Sequence, residues 1–368
     1  MSDAMRQQLT ILVPTYNRYD RLLRLLRYYH ATGCAAPLHV LDSSREALPA
    51  QGELRALLTR QGSLVSHTRY PPDIEALAKI LSGLQDVTTP YVVLWADDDF
   101  LVPGTLEDGV RVLSQHPDVS VVHGQSALFR LQAGRVQWVA PYLQRSVLDE
   151  TASARLKDHF QRYFVTFYSV HRTEQLVKNF QQVCQTGLDW HTWGELALSA
   201  LAILQGKALA LPRLYMVREG HAGMGSRTVQ QQRGLDHFDW LTDTACTRQH
   251  GTYEMFRECL VPELMARDGL EASQARDVVK QALWPYFVRG MEEKWSTEDG
   301  RNVVPFGVRF REAAKRVPGL RTAWRTARAW MPHRPSTISL DALRQPSSRY
   351  YRDFMPIYRA VTTNGECG

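Results

Sequence analysis

Cysteine is scarce in this sequence and is not arranged for cross-linking. The chain of 368 residues contains five cysteines, and no two of them have the CxxC spacing or other spacing of metal ligands. A disulfide scaffold and a structural zinc site are therefore excluded as means of holding the fold together. Few, scattered thiols are typical of proteins from a reducing compartment.

Long hydrophobic runs are also lacking. The longest apolar stretch, LALSALAIL at 196–204, is far shorter than the about 20 residues that a transmembrane helix needs. The apolar run near the start ends at Pro14, which does not match the pattern of a signal peptide. We therefore expect a cytoplasmic protein without a membrane span.

A strong excess of one charge is absent as well, because 44 Lys and Arg face 38 Asp and Glu, a net charge of +6. Basic residues are nevertheless concentrated at 308–335, where Leu320, Trp324 and Trp330 recur at helical spacing among arginines. Such a helix can make a peripheral contact with the anionic inner face of the plasma membrane. Packing of the tryptophans on the rest of the protein, with solvated arginines, is the interpretation we favour. Nucleic-acid binding is not expected, since no recognised module accompanies the charge.

Short apolar runs alternate with segments of helical periodicity through about residue 124. The predicted strands are LTILV (9–13), LHVLD (38–42), LVSHTRY (64–70), YVVLWADDD (91–99) and VSVVHG (119–124). The predicted helices cover 20–33, 73–84 and 104–114. This alternation predicts an α/β fold with a doubly wound, mostly parallel sheet flanked by helices.

After about residue 124 the regular alternation of strands and helices ends. A hairpin is predicted around QAGR (132–135), followed by a long buried helix at 187–206 and a short strand, ALALP, at 208–212. Beyond about residue 235 the pattern favours helices rich in Trp, Arg and Tyr. We place a boundary near 225–235, with a nucleotide-binding catalytic domain over 1–230 and a helical C-terminal extension over 231–368, associated with the acceptor or a membrane.

Polar residues follow several predicted strands at the point where each strand ends. Tyr16, Asn17 and Arg18 follow the first strand, Asp42 ends the second, and Asp97–Asp99 end the strand at 91–99. Carboxyl ends of parallel strands lie on one edge of a sheet, where such folds bind ligands. Three adjacent carboxylates need a compensating cation, because burying an unpaired carboxylate is costly. An aromatic ring, a guanidinium and several carboxylates together suit a nucleoside diphosphate with Mg²⁺ or Mn²⁺.

The ordered motifs ILVPTYNR, HVLDSS and YVVLWADDDFLVPGTLE resemble the nucleotide-binding half of family 2 glycosyltransferases, which have the GT-A fold, over roughly residues 8–225. ADDDF, then HG after the next strand and a later REGH, resemble a bacterial subgroup of that family. One departure is that aligning on Pro103 puts Ala96 where the family's first aspartate stands.

The resemblance implies an inverting sugar transfer from a nucleotide donor with a divalent metal. The residues implied for donor binding are Pro14, Thr15, Tyr16, Asn17, Arg18, Asp42, Lys79, Asp97, Asp98 and Arg218. The implied metal ligands are Asp97, Asp99 and His221. The implied catalytic base is Asp189, in GLDWHTWGE at the start of a helix, with Glu195 in reserve.

Several of these residues also have a purely structural interpretation. Asn17 or Asp20 can cap the first helix, Asp42 can start a turn, and Asp97–Asp99 can lie in a solvated loop. Asp189 can likewise be a helix cap, and Glu195 can pair with His191. For Lys79 we favour a surface pair with Glu75 at i, i+4 over a phosphate contact.

The expected function is a metal-dependent inverting glycosyltransferase using Mn²⁺ or Mg²⁺ and a nucleotide-diphosphate sugar, with a saccharide or lipid-linked acceptor. Its expected setting is the synthesis of bacterial surface polysaccharide or glycoconjugates. One alternative is a non-catalytic nucleotide- or sugar-binding protein on a transferase scaffold, which Ala96 leaves open. A nucleotidyltransferase is a further alternative, but PTYNRYDRLLR lacks the glycine-rich, lysine-bearing loop expected of one.

Overall fold

A computed structural model of the chain describes residues 3–60, 64–220, 247–298 and 338–362. Within these ranges a nine-stranded mixed sheet carries helices on both faces. The strands are β1 (Leu9–Thr15), β2 (Leu38–Asp42), β3 (Val65–Arg69), β4 (Tyr91–Leu94), β5 (Phe100–Leu101), β6 (Val119–Gln132), β7 (Arg135–Tyr142), β8 (Val170–Arg172) and β9 (Lys207–Glu219).

The helices are α1 (Asp3–Gln8), α2 (Tyr19–Thr32), α3 (Glu53–Leu58), α4 (Ala76–Gln85), α5 (Pro103–Gln115), α6 (Ala152–Gln161), α7 (Thr173–Thr186), α8 (Glu195–Gln205), α9 (Thr247–Asp268), α10 (Ala272–Glu298), α11 (Leu340–Leu343) and α12 (Tyr351–Thr362). The predicted long helix at 187–206 is divided into a π-helical turn, Trp190–Gly194, and α8. None of the helices in the described ranges is long and apolar enough to cross a membrane.

The first half of the sheet is parallel, as the alternation of strands and helices predicts. The order across the sheet is β3-β2-β1-β4-β8-β6-β9-β5, and β7 pairs with β6. β1 pairs in parallel with both β2 and β4, so that Thr15 lies opposite Asp42 and Leu12 lies opposite Leu94. The carboxyl ends of these three strands therefore lie on one edge, which is where the predicted polar residues follow.

The second half of the sheet contains the predicted hairpin. Ala133 and Gly134 have φ angles of 49° and 70° and connect β6 to β7, a backbone conformation typical of tight hairpin turns. β6 and β9 are longer than predicted, and they run parallel to each other as far as the pair Phe129 and Glu219. The length of β9 carries its last residues to the edge where β4 ends.

The described C-terminal helices share cores with the sheet. Phe354 and Ile357 of α12 belong to the same buried cluster as Leu25 of α2, whereas Leu260 of α9 and Leu283 of α10 are buried in a second cluster with residues of α4, α6 and α8. The C-terminal region is thus mainly helical where it is described. The predicted boundary near 225–235 and the basic segment 308–335 lie outside the described residues.

Candidate functional site

The loop after β1 is tied to the loop after β2. The backbone N–H of Asn17, which has φ 54°, donates to Ser44 Oγ at 2.8 Å, and its Oδ1 accepts from the N–H of Arg45 at 2.9 Å. The N-cap of α2 is Arg18, without a capping side chain. The alternative that Asn17 or Asp20 caps this helix is therefore wrong, because the Asn17 side chain joins two loops and Asp20 lies within the first turn of α2.

Asp42 is completely buried at the end of β2. Its Oδ2 accepts from the Tyr19 hydroxyl at 2.8 Å and from Arg69 at 2.9 Å and lies 3.0 Å from His67 Nε2, while Oδ1 accepts from the N–H of Ser44 at 2.8 Å. Burial alone would raise the pKa of Asp42, but these donors hold it well below its usual range. Asp42 therefore remains ionised and fixes the loop, and its contact with a ligand stays a prediction.

A tight turn after β4 presents the three aspartates. The indole N–H of buried Trp95 donates to the carbonyl of Asp99 at 2.7 Å, and the N–H of Asp99 donates to the carbonyl of Ala96 at 3.2 Å. These bonds fold the chain back immediately after the strand. As a consequence, the three carboxylates meet arginine side chains instead of facing solvent together: Asp97 and Asp98 share Arg18, and Asp99 meets Arg218.

Asp97 lies between the end of β1 and the start of α2. It is 4% exposed and accepts from the Thr15 hydroxyl at 2.7 Å and from Arg18 Nη1 at 3.3 Å. Burial and the neighbouring Asp98 carboxylate raise the pKa of Asp97 to about 6, while Arg18 and Thr15 limit the rise. The same Nη1 of Arg18 is 3.1 Å from Asp98 Oδ2, which also accepts from Arg21 at 3.2 Å.

Asp99 is paired with Arg218 through the register of the sheet. β5 and β9 are antiparallel with Phe100 opposite Val217, which brings the preceding Asp99 beside Arg218. Arg218 Nε donates to Asp99 Oδ2 at 2.9 Å, and the N–H of Glu219 donates to Oδ1 at 3.1 Å. Burial raises the pKa of Asp99, and the Arg218 guanidinium opposes the rise. Asp99 thus joins the turn after β4 to the end of β9.

The Arg218 side chain is held between two aromatic rings. Its guanidinium carbon lies 5.0 Å from the ring centre of Tyr142 and 4.9 Å from that of Tyr168, and its Nη1 donates to the Tyr142 hydroxyl at 2.9 Å. The structure therefore places Arg218 against Asp99, and a contact of Arg218 with a diphosphate stays a prediction.

Lys79 lies inside the protein, contrary to the surface pair that we favoured. Its side chain is buried, and Nζ donates to the Thr15 carbonyl at 2.9 Å and to Ser43 Oγ at 2.8 Å. Desolvation lowers the pKa of Lys79 to about 8, against the effect of Asp42 and Asp97. The expected ion pair with Glu75 is wrong, since the face of α4 that carries Lys79 covers the ends of β1 and β2.

A cavity of about 280 Å³ opens at this edge of the sheet. Its polar lining comes from Thr15, Arg18, Lys79 and Asp97, and Tyr16, with 41% exposure, stands beside them. The remaining lining residues are Pro14, Ala76, Ile80, Leu94, Ala96, Phe167, Tyr168 and Trp190. Most donor-binding residues implied by the resemblance are thus brought to one cavity or directly behind it.

The two candidates for the catalytic base lie on either side of the π-helical turn. The backbone carbonyl of Asp189 accepts from the N–H groups of Trp193 and Gly194, and the next residue, Trp190, lines the cavity. Glu195 accepts a hydrogen bond from the Tyr163 hydroxyl at 3.2 Å. The role of either residue as a base stays a prediction, and the suggested pairing of Glu195 with His191 lies outside the described side chains.

Sequence reasoning missed several residues of this site. Phe167 and Tyr168 come from a loop that carries no motif, and only the tertiary structure brings them to the cavity. Arg21 and Arg24 could have been predicted, because they follow Arg18 at spacings of three and six residues and so lie on the same side of the helix as Arg18. Arg24 pairs with Glu219 and reaches the carbonyl of Asp98.

The position between Asp97 and Asp98 suits a divalent cation, because a cationic nitrogen of Arg18 already lies between two carboxylate oxygens there. Carboxylates are the hard oxygen ligands that Mn²⁺ and Mg²⁺ prefer. Within the described ranges no group of three or more His, Cys, Asp or Glu is arranged to hold a metal. Mg²⁺ is commonly held by only one or two carboxylates together with substrate phosphates, so the residues fit a cation that arrives with a diphosphate. The predicted ligand His221 lies outside the described residues.

No protein-family model matches this chain, and no curated protein sequence matches it. Among solved structures, Staphylococcus aureus TarS 1–349 in complex with UDP-GlcNAc aligns with a TM-score of 0.51 and 15% identity, over 79% of this chain and 76% of that one. A longer structure of S. aureus TarS aligns with a TM-score of 0.49 and 14% identity, over 79% of this chain and 45% of the TarS chain.

At 15% identity, the alignment with TarS 1–349 is evidence of a shared fold and of nothing further. Both the mostly parallel sheet flanked by helices and the position of the cavity at its carboxyl edge agree with what the motifs predict. The chain therefore has a GT-A-type α/β fold.

Proposed function

We propose that this protein is a metal-dependent inverting glycosyltransferase that moves a sugar from a nucleotide-diphosphate sugar to an acceptor hydroxyl. The observation that carries the proposal is the cavity in which Tyr16, Arg18, Lys79 and Asp97 meet at the carboxyl ends of β1 and β4. An exposed ring, two cationic side chains and a buried carboxylate are complementary to a base, a diphosphate and its cation. The fold match to TarS crystallised with UDP-GlcNAc supports a UDP-sugar as the donor.

The cavity is sized for part of a donor. Its volume of about 280 Å³ lies near the lower end of ligand pockets, which are about 300–1,000 Å³. Tyr16 offers an exposed face on which a nucleobase can stack, and Arg18 and Lys79 place positive charge where the diphosphate would lie. Asn17 and Asp42 act behind the cavity by holding the two loops in place.

Departure of the nucleoside diphosphate builds negative charge on its oxygens. When bound, a divalent cation would offset this charge, and Asp97, Asp99 and His221 are the residues we propose to hold it, with Asp98 beside them. Arg18 and Lys79 contribute fixed positive charge at the same edge, in a partly desolvated site where such interactions are strengthened.

An acceptor hydroxyl becomes a good nucleophile only when a base takes its proton as the new bond forms. Asp189 is our first candidate for this base and Glu195 the second. Asp189 directly precedes a residue that lines the cavity, whereas Glu195 accepts a hydrogen bond from Tyr163. A single displacement assisted in this way inverts the configuration of the transferred sugar.

The acceptor we propose is a saccharide or lipid-linked hydroxyl in the synthesis of bacterial surface polysaccharide or glycoconjugates. A cytoplasmic protein with a peripheral membrane contact through 308–335 would be placed to meet such an acceptor. Flotation of the protein with anionic liposomes, with and without residues 308–335, tests this contact. Equal flotation of both forms would count against it.

Activity is tested by donor hydrolysis and sugar transfer with UDP-, GDP- and dTDP-sugars in the presence of Mn²⁺. We expect turnover of a UDP-sugar, inversion at the anomeric carbon by NMR, and loss of activity with EDTA. Asp97→Asn should lower the rate by about a hundredfold or more, as removal of an electrostatic stabiliser does in other active sites. Glu174→Gln, which removes an exposed carboxylate on α7, is the matched control.

Two outcomes would contradict the proposal. UDP binding by calorimetry without turnover of any donor would favour the alternative of a non-catalytic binding protein. Full activity of Asp97→Asn would show that the acidic turn is not part of the catalytic site.

A further inference from the structure

One nitrogen of Arg18 occupies the place between two carboxylates of the acidic turn. Nη1 lies 3.3 Å from Asp97 Oδ1 and 3.1 Å from Asp98 Oδ2. Mg²⁺ or Mn²⁺ held by these same carboxylate oxygens would need the place that this guanidinium nitrogen fills. The guanidinium and a metal ion cannot share this position, because their atoms would overlap and their charges would repel at short range.

The carboxylates have other contacts that hold them when Arg18 leaves. Asp97 keeps its bond from the Thr15 hydroxyl, and Asp98 keeps its bond from Arg21. Their side chains are only 5% and 12% exposed, whereas the Arg18 side chain is 37% exposed. Arg21 is 22% exposed, so that Arg18 is the most exposed of the four side chains and has the most space to change its contacts.

Arg18 also lines the cavity itself. It shares the lining with Tyr16 and Lys79. A long side chain at the cavity wall can turn from a carboxylate to a phosphate without a change in the backbone. Arginine binds both groups well, since its planar donors match carboxylate and phosphate oxygens equally.

We infer that Arg18 is an exchangeable counter-cation of the acidic turn. In the donor-free protein it neutralises Asp97 and Asp98, and when metal and donor bind it gives up these carboxylates and contacts the diphosphate. This inference rests on the proposed function and adds a competition between one side chain and the metal. Metal binding without a donor is therefore opposed by the protein's own arginine.

Loss of Arg18 should consequently shift two affinities in opposite directions. Without the guanidinium, the two carboxylates keep fewer positive partners and bind Mn²⁺ alone more tightly. Without the same guanidinium, the diphosphate loses a charged donor and UDP binds more weakly in saturating Mn²⁺. Each shift should be about tenfold or more, the lower end of what a hydrogen bond to a charged group contributes.

The experiment is calorimetric titration of the full chain with Mn²⁺ alone, then with UDP in saturating Mn²⁺, for the wild type and Arg18→Gln. Arg21→Gln removes a cation from Asp98 but leaves the position between Asp97 and Asp98 filled, so its Mn²⁺ affinity should rise less than that of Arg18→Gln. Arg27→Gln, whose arginine pairs with exposed Glu53 on the same helix, should change neither affinity. Mn²⁺ binding by Arg18→Gln that is no tighter than that of the wild type would overturn the inference.

A crystal structure of the wild type with Mn²⁺ and UDP keeps the inference testable if Arg18→Gln fails to fold. Arg18 is expected on the diphosphate, and Arg18 still bridging Asp97 and Asp98 would overturn the inference. Tighter Mn²⁺ binding by Arg18→Gln, without turnover of any donor by the wild type, would refute the proposed function and support the arginine's competition with metal. If the wild type turns over a donor but Arg18→Gln binds Mn²⁺ no more tightly than the wild type, the proposed function is supported and the inference about Arg18 is overturned.

Discussion

Arg218→Met tests how the end of β9 is fastened to the acidic turn. Asp99 is 2% exposed and its Oδ2 lies 2.9 Å from Arg218 Nε. At an effective dielectric constant of about 20, two unit charges at this distance attract by about 6 kcal/mol before desolvation is counted. Methionine keeps much of the volume between Tyr142 and Tyr168 but leaves the buried carboxylate without its cation.

We expect Arg218→Met to lower the free energy of unfolding by about 3–5 kcal/mol, as loss of one partner of a buried ion pair does. Asp99→Asn combined with Arg218→Met should cost less than the sum of the single variants, because each single change leaves the other group unpaired. Urea denaturation followed by tryptophan fluorescence measures all three variants. The relevant scale is the about 5–15 kcal/mol of a whole domain.

Arg213→Met is the matched control on the same strand. Arg213 pairs with Asp108 with its own side chain 43% exposed, and an exposed pair contributes about 1 kcal/mol or less. A loss of less than about 1 kcal/mol in Arg218→Met, or strict additivity with Asp99→Asn, would refute the reasoning, because a buried pair and a surface pair would then be equivalent.

Four further predictions concern stability and ligand binding. His159→Phe should raise the free energy of unfolding by about 1–2 kcal/mol in urea melts, since both ring nitrogens are buried without a partner among the described residues; a less stable variant would contradict this. Burial lowers the pKa of His123 and of His171 to about 4. The free energy of unfolding should therefore be highest above about pH 6.5 and decrease from pH 6.5 towards pH 4, because in this range the unfolded chain binds more protons than the folded one. A free energy of unfolding that does not change over this range would count against buried neutral rings. Desolvation lowers the pKa of Lys79 to about 8, so UDP affinity should fall as the pH rises through 8 and Lys79→Met should lose this dependence; the same pH profile in both proteins would argue against a charged Lys79 at the donor. Tyr16→Ala should weaken UDP binding by about tenfold or more in calorimetry, because base stacking on an aromatic ring contributes about 1–3 kcal/mol; unchanged affinity would place the base elsewhere.

Local pattern was sufficient for most strands and for part of the helices, whereas α1, α3, α6 and α7 were not predicted. The predicted strand LHVLD coincides with β2, and the hairpin around QAGR matches the turn between β6 and β7. β5 and β8 were not predicted, because strands of two and three residues are too short to show a periodicity. The helix predicted at 73–84 begins at Ala76 in the structure.

The candidate site was predictable only in part. Tyr16 and Asp97 were expected at one edge because carboxyl ends of parallel strands meet there, and the structure places both at the cavity. Lys79 was expected on the surface because its spacing from Glu75 permits a helical ion pair. Helical spacing defines which residues share a face, but only the packing of α4 on the sheet decides what that face covers.

The sequence by itself determined the alternation of strands and helices through about residue 124 and the polar residues that follow the strands, because both depend on neighbours within a few positions. Only the tertiary structure decided which cations stand beside the three aspartates. Arg218 meets Asp99 through the pairing of β5 with β9 across 119 residues of sequence. Arg18 meets Asp97 because the start of α2 packs on the turn after β4. Contacts at such separations depend on how the whole sheet assembles, which no local spacing of residues specifies.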